Sequence, residues 1–264
     1  MIEVINLCAG YGAKNDVIHN INFSAAAGEF LCILGPNGCG KSTLLKSIAR
    51  IIEFRGNVII NGRDTGSFSR MGSRWVSRSF SRRELAKKIA LLEQSAQVFF
   101  PFTVYETVSM SRYAWSKGFL KNLSEEDKII IEETIVKLDI EDIRDRMINE
   151  LSGGQLQRVF LARTLAQTPD VLLLDEPANH LDLKYQIELL SFIKKWAKEN
   201  NKILIGVFHD LNMARFFGDT ALLMKNGTVY AHGKIENILN KETLQSVYSA
   251  DIHGFMSNSL KKWK

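Results

Sequence analysis

The sequence predicts an α/β fold: a mostly parallel sheet, an antiparallel β portion at the N-terminus and a helical subdomain inserted in the middle. Three observations predict it. Strand-like runs alternate with helical ones along much of the 264-residue chain. Two of those runs, VLLL (171–174) and KILIGVF (202–208), are almost wholly apolar, as strands covered on both faces should be. Between about residues 94 and 157 the alternation lapses and few strand signals occur. The expected division is therefore a core of residues 1–93 and 158–264 with a helical subdomain at about 94–157. A sheet of this kind takes its ligand at the carboxyl ends of its strands.

The elements follow in order. Residues 3–7, 17–23 and 30–34 read as strands. The third runs into glycine-rich GPNGCGKST (35–43), and a helical pattern then continues to about Ile51. GNVIING (56–62) reads as a strand and turn. Ser81 followed by Glu84 is a capping-box pattern ahead of a short helix, and residues 89–93 form the next strand. Ser124 and three acids open an amphipathic helix carrying Ile129, Ile130, Ile131, Ile135, Val136 and Leu138; acids there favour the positive end of the helix dipole. A helix over 183–199 and a hairpin turning at Asn226-Gly227 complete the set.

Composition excludes several classes. Hydrophobic content of 45% with 24% charged residues is ordinary for a water-soluble domain. No apolar run is long enough to cross a bilayer, and the opening MIEVINL does not read as a signal peptide, so the expected compartment is the cytoplasm. Cys8, Cys32 and Cys39 have no CxxC spacing and no His cluster, which argues against a disulfide framework or a zinc site. The formal charge of +5 is mild and no nucleic-acid partner is expected. Residues 70–88 nevertheless hold seven basic side chains and one acid. They read as a solvated face, with an anionic partner as the alternative. Ser67-Phe-Ser-Arg70 recurs as Ser79-Phe-Ser-Arg82, which marks residues 66–80 as a surface loop.

The chemistry is concentrated in two places. Gly35, Pro36, Asn37, Gly38, Cys39, Gly40, Lys41, Ser42 and Thr43 fit GxxxxGK[ST], with a strand before and a helix after. Glycines let backbone N–H groups point inward around a triphosphate, and the helix start adds positive potential. Lys41 reaches the β- and γ-phosphates and Ser42 offers its hydroxyl to Mg²⁺. The second place is VLLLDEP (171–177), where a buried strand ends in Asp175, suited to Mg²⁺, and Glu176, suited to accept a proton from an attacking water.

Taken with LSGGQ at 151–155, these motifs resemble the nucleotide-binding subunit of ATP-binding cassette (ABC) transporters over nearly the whole chain, a P-loop NTPase of RecA-like fold. The resemblance implies ATP and Mg²⁺ as ligands. It implies that Gln94 contacts Mg²⁺ and the attacking water, that His209 contacts the γ-phosphate, and that Tyr11 stacks on adenine. It implies a homodimer in which Ser152, Gly153, Gly154 and Gln155, with the D-loop residue Asp182, act on the nucleotide held by the other copy, at a helix start left unfilled in the single chain. The chain departs from the common pattern at Glu93, where relatives often have proline, and Cys39 is expected only to pack.

The partners implied are membrane permease subunits and, indirectly, an extracytoplasmic binding protein, which places the chain at the cytoplasmic face of the cell membrane. Phe99, Phe100 and Phe102 fit either a permease-facing groove or the subdomain's own core. SRRELAKKIALLEQ, TVYETVSMSRY and ANHLDLKYQIELLSFI resemble ATPases of iron-chelate (siderophore or haem) and vitamin B12 importers. Alternatives are another cargo such as molybdate, an exporter, or a cassette ATPase acting on ribosomes or DNA. One cassette and about sixty residues between Gln94 and the signature favour transport.

Overall fold

A computed structural model describes residues 1–12, 16–66, 80–93, 101–115, 122–179 and 181–261, without the side chains of Ser259 and Leu260. Gln94, Phe99, Phe100 and most of the basic loop lie outside the described residues. The chain begins β1 (Ile2–Gly10), β2 (Asp16–Ala25), β3 (Phe30–Leu34), α1 (Lys41–Ile48), β4 (Phe54–Ile60) and β5 (Arg63–Asp64). It continues α2 (Arg82–Ala86), β6 (Ile89–Leu92), α3 (Val104–Ser109), α4 (Glu125–Lys137), α5 (Gly153–Ala166), β7 (Val171–Asp175) and α6 (Leu183–Glu199). It ends β8 (Ile203–Val207), α7 (Leu211–Phe217), β9 (Thr220–Lys225), β10 (Thr228–Lys234), α8 (Ile235–Ile238), α9 (Lys241–Tyr248) and α10 (Ile252–Lys261). Two compact units result, Met1–Ser79 with Ile193–Lys264, and Phe80–Phe192.

The first unit carries the antiparallel sheet β2-β1-β4-β5 and the run β10-β9-β3-β8. β1 pairs with β2 and β4 on its two sides, Ile2 facing Ala25 and Ile60, and Ile2, Val4 and Leu7 point into the core. β3 lies parallel between β8 and β9, and every residue of β3 and β8 is buried, which is why both read as unbroken apolar runs. The β9–β10 hairpin turns at Asn226 (φ 48°) and Gly227 (φ 76°), two left-handed residues whose twist matches the strands they join. The helix after the glycine-rich loop is shorter than the pattern predicts. It ends at Ile48, because Arg50 turns left-handed (φ 56°) and donates its Nη1 to the Thr65 carbonyl.

The second unit holds the parallel pair β6–β7 with α2 to α5. Full capping boxes start α2 at Ser81, α3 at Thr103 and α4 at Ser124. Its polar centre is a fully buried ion pair. Arg112 Nε donates to Asp127 Oδ1 at 2.7 Å, and Arg112 Nη1 donates to the Ala166 carbonyl at 2.9 Å, near the end of α5. One guanidinium thus joins the start of α4 to the end of α5. Burial works against the Asp127 carboxylate, yet hydrogen bonds from Ser124 and Arg112 outweigh it and hold its pKa below the usual carboxylate range. Arg112→Leu strands that carboxylate, so unfolding in urea is expected to show a loss of about 3 kcal/mol at neutral pH. A depressed carboxyl pKa stabilises above its unfolded value and ceases to do so as pH falls through the folded one. The difference between variant and wild type should therefore narrow below about pH 4.

Candidate functional site

The phosphate loop leaves β3 at Gly35, which sits at φ 146°. A Cβ there would fall inside contact distance of the Met224 carbonyl oxygen and 2.9 Å from the Cys39 sulfur. Backbone on one side and a buried thiol on the other leave room only for hydrogen. Gly35→Ala is expected to strain the loop by about 1–3 kcal/mol and to cut ATP affinity at least about tenfold, as read by nucleotide titration. At the crown, Asn37 and Gly38 are exposed, and nothing stands within 4 Å of a Cβ built on Gly38. Gly40, packed against Ile18 and Val17 of β2, opens α1. No side chain caps that helix and no acid lies in its first turn. Such a helix start favours an anion.

Lys41 is 6% exposed, and its ammonium donates to the carbonyls of Gly35 (2.8 Å) and Pro36 (2.9 Å). A buried positive charge thus sits against two loop carbonyls. Thr43 is buried and Ser42 half-buried beside it. Burial pushes the Cys39 thiol up, against the pull of the Lys41 ammonium, so Cys39 is a neutral packing residue. Further first-unit residues lie near the loop or the end of β3. Phe208 donates its N–H to Ile33 at 3.1 Å, so β8 ends beside β3, and exposed His209 follows; Asp210 caps α7. Tyr11 is 57% exposed at the end of β1, on the side where β2 supplies Ile18 and Val17 to Gly40.

In the second unit, Asp175 ends β7 and is 6% exposed. Glu176 follows in a left-handed conformation (φ 52°) that turns it out of the strand direction, and Asn179 Nδ2 donates to its Oε2. Gln157 of α5 donates to the Pro177 carbonyl at 2.8 Å, which ties the signature helix to this turn. Asp182 receives the Tyr185 N–H at 3.1 Å and so caps α6.

The signature itself corrects one expectation. The start of α5 is not left unfilled. Ser152 Oγ receives the Gln155 N–H at 3.3 Å, and Gln155 Oε1 receives the Ser152 N–H at 3.1 Å, a reciprocal capping box. The S-x-x-Q spacing carries that signal in the sequence. The hydroxyl hydrogen of Ser152 is still free to donate, since its oxygen is the acceptor in the box. Ser152 and Gly153 are exposed, and a Cβ on Gly153 or Gly154 would meet nothing within 4 Å. Gly153 and Gly154 have no positive φ, so helical backbone does not demand glycine there; the gain is open access to the helix start.

The donor chemistry fits Mg²⁺ only in company with a nucleotide. Among the described residues no group of three or more His, Cys, Asp or Glu could hold a metal. Ser42 in the first unit and Asp175 in the second are each a hard oxygen donor of the type Mg²⁺ takes, and Mg²⁺ keeps phosphate oxygens and water among its ligands. Gln94, the third predicted contact, lies outside the described residues.

Comparison with known proteins agrees with the fold. The family model described as ABC transporter matches residues 18–179. An uncharacterized ABC transporter ATP-binding protein of Bacillus subtilis, YvrA, is 37% identical over 97% of the chain, which spans 55% of that protein's length. The petrobactin import ATP-binding protein YclP of the same organism is 34% identical over 96% of this chain and 94% of its own. Among solved structures, an inward-facing transporter described as of metal-chelate type superposes with a TM-score of 0.78 at 26% identity, over 95% of this chain and 89% of that one. A dimeric cassette in a post-hydrolysis state with ADP and Pi superposes with a TM-score of 0.73 at 28% identity, over 89% of this chain and 99% of that one. The chain belongs to the ABC transporter family and carries that family's ATP-hydrolysing, ATP-binding cassette.

Proposed function

We propose that this cassette powers an importer that takes up a metal chelate, an iron complex (siderophore or haem) or cobalamin. The observation that carries this reading is end-to-end similarity to siderophore-import cassettes: YclP, and the iron(3+)-hydroxamate import protein FhuC of B. subtilis at 35% identity over 92% of this chain. No helix of the described residues is long and apolar enough to cross a membrane. In this reading permease subunits form the passage. Those subunits, with a binding protein outside, choose the cargo. Phe102, 37% exposed just ahead of α3, would meet a permease helix in this reading.

Two copies work head to tail. Loop amides and Lys41 bind the triphosphate of ATP, and Tyr11 stacks on its base. Glu176, oriented by Asn179, accepts a proton from water as the water attacks the γ-phosphate in line. His209 and Lys41 stabilise the charge that develops, and the exposed Ser152–Gly154 edge of the second copy closes the site. Ser42 and Asp175 would hold Mg²⁺, which would supply positive charge against that of the phosphates. The test is co-expression with a candidate permease and binding protein, followed by ATPase assay in membranes. Turnover should rise with ferric-chelate-loaded binding protein. Purification with ribosomes and no permease would reject transport.

A further inference from the structure

The tip of the β9–β10 hairpin is not wholly in solvent, where a turn ordinarily lies. Asn226 is exposed but Gly227 is buried, and the phosphate loop and β2 of the same unit meet around it. Its N–H donates to the Cys39 carbonyl of the loop at 3.2 Å. Its carbonyl accepts the His19 N–H of β2 at 2.8 Å. A Cβ built on it would fall inside contact distance of the Val17 carbonyl oxygen, with the His19 ring at 3.2 Å. β2 also touches the loop directly, since a Cβ on Gly40 would run into Ile18. At the start of the loop, β9 runs parallel beside β3 with Leu223 opposite Leu34, which brings the Met224 carbonyl over Gly35. One hairpin thus meets the loop at both ends, and β2 holds the hairpin.

The hold at Cys39 has a chemical consequence. The peptide between Cys39 and Gly40 is planar and trans, so its C=O and N–H point opposite ways. Fixing the carbonyl toward Gly227 fixes the direction of the Gly40 N–H, at the residue that opens α1. A rotation of this peptide would put a carbonyl oxygen where that amide stands, and a helix start favours an anion only while its amides face the ligand. Lys41 does not do this work, because its ammonium is given to the carbonyls of Gly35 and Pro36. We infer that Gly227 is a positioning residue for the phosphate loop: its N–H keeps the Cys39 carbonyl turned away from the nucleotide and the Gly40 amide toward it. Glycine is required for this, since φ is 76° and the Val17 carbonyl leaves no room for a side chain. The tie lies away from the reacting atoms, so it acts on nucleotide binding and not on the chemical step.

The inference rests on the reading of residues 35–43 as the ATP site and is tested in the full-length chain with MgATP. Gly227→Ala puts a methyl group against the Val17 carbonyl and drives the turn off the loop. KM for ATP is expected to rise about three- to tenfold, the effect of one lost hydrogen bond, with kcat within about twofold of wild type. His19→Pro is the milder variant. It removes the N–H that seats the Gly227 carbonyl, on an edge strand where proline is tolerated, and should raise KM about two- to fivefold. A purely structural role would lower kcat through a smaller folded fraction and leave KM alone. Unchanged KM in a folded Gly227→Ala chain overturns the positioning role. Where Gly227→Ala fails to fold, unchanged KM in His19→Pro overturns it. In both cases the wild-type ATPase stands. A wild-type chain that does not bind ATP overturns the ATP reading instead.

Discussion

Glu176→Gln is expected to bind ATP with wild-type affinity and to hydrolyse it about 10²–10⁴-fold more slowly. The substitution keeps the shape of the side chain and its hydrogen bond with Asn179, since the amide oxygen still accepts from Nδ2. What it removes is the ability to take a proton. Asp175, one residue earlier, cannot stand in. It is buried at the end of β7, whereas Glu176 is turned aside by its left-handed backbone. Single-turnover hydrolysis of γ-labelled ATP separates the step from product release. With chemistry blocked and ATP retained, the variant should elute as a dimer in ATP and as a monomer without it. Hydrolysis at the wild-type rate would end the general-base assignment.

Ser152→Arg is expected to abolish that dimer and all turnover while leaving ATP affinity of the single chain within about twofold. Ser152 and Gly153 form an exposed edge with open space above the glycines. An arginine there fills the space where a second copy's nucleotide would sit, and it also breaks the capping box with Gln155. Loss of the box alone costs about 1 kcal/mol. Ser152→Ala therefore serves as the comparison: it breaks the box too, adds no bulk, and should keep measurable turnover. The informative readout combines Ser152→Arg with Glu176→Gln. If the signature acts on the other copy's nucleotide, the double variant binds ATP and stays monomeric by size-exclusion chromatography. Loss of ATP binding in the monomer would instead place the signature on its own chain's nucleotide.

These two variants probe sites of different legibility. The phosphate loop, the Asp175–Glu176 pair and the signature are contiguous, and their chemistry depends on residue types at short spacing. A helix start without a side-chain cap, preceded by glycines and opening on a lysine, favours an anion by local geometry alone. The buried strands β3, β7 and β8 were equally plain, because burial on both faces removes polar residues from the strand itself. The hairpin at Asn226-Gly227 was legible because its backbone angles need those residue types. The capping box at Ser152 also lies in local spacing, but a serine beside two glycines suits a phosphate as well, so spacing alone does not separate the two roles.

Other features lie beyond any local pattern. That Gly35 must be glycine depends on the Met224 carbonyl, which arrives from β9. Arg112 reads as one more charge in a helical stretch until folding buries it between Asp127 and the carbonyl of Ala166. By itself the sequence determined where the glycine-rich loop, the Asp175–Glu176 pair and the signature lie, since hydrogen-bond donors, carboxylates and backbone freedom are properties of residue types a few positions apart. Only the tertiary structure decided what closes over that loop, because the backbone that meets Gly35 comes from Met224 of β9, far away in sequence and brought there by burial of a common core.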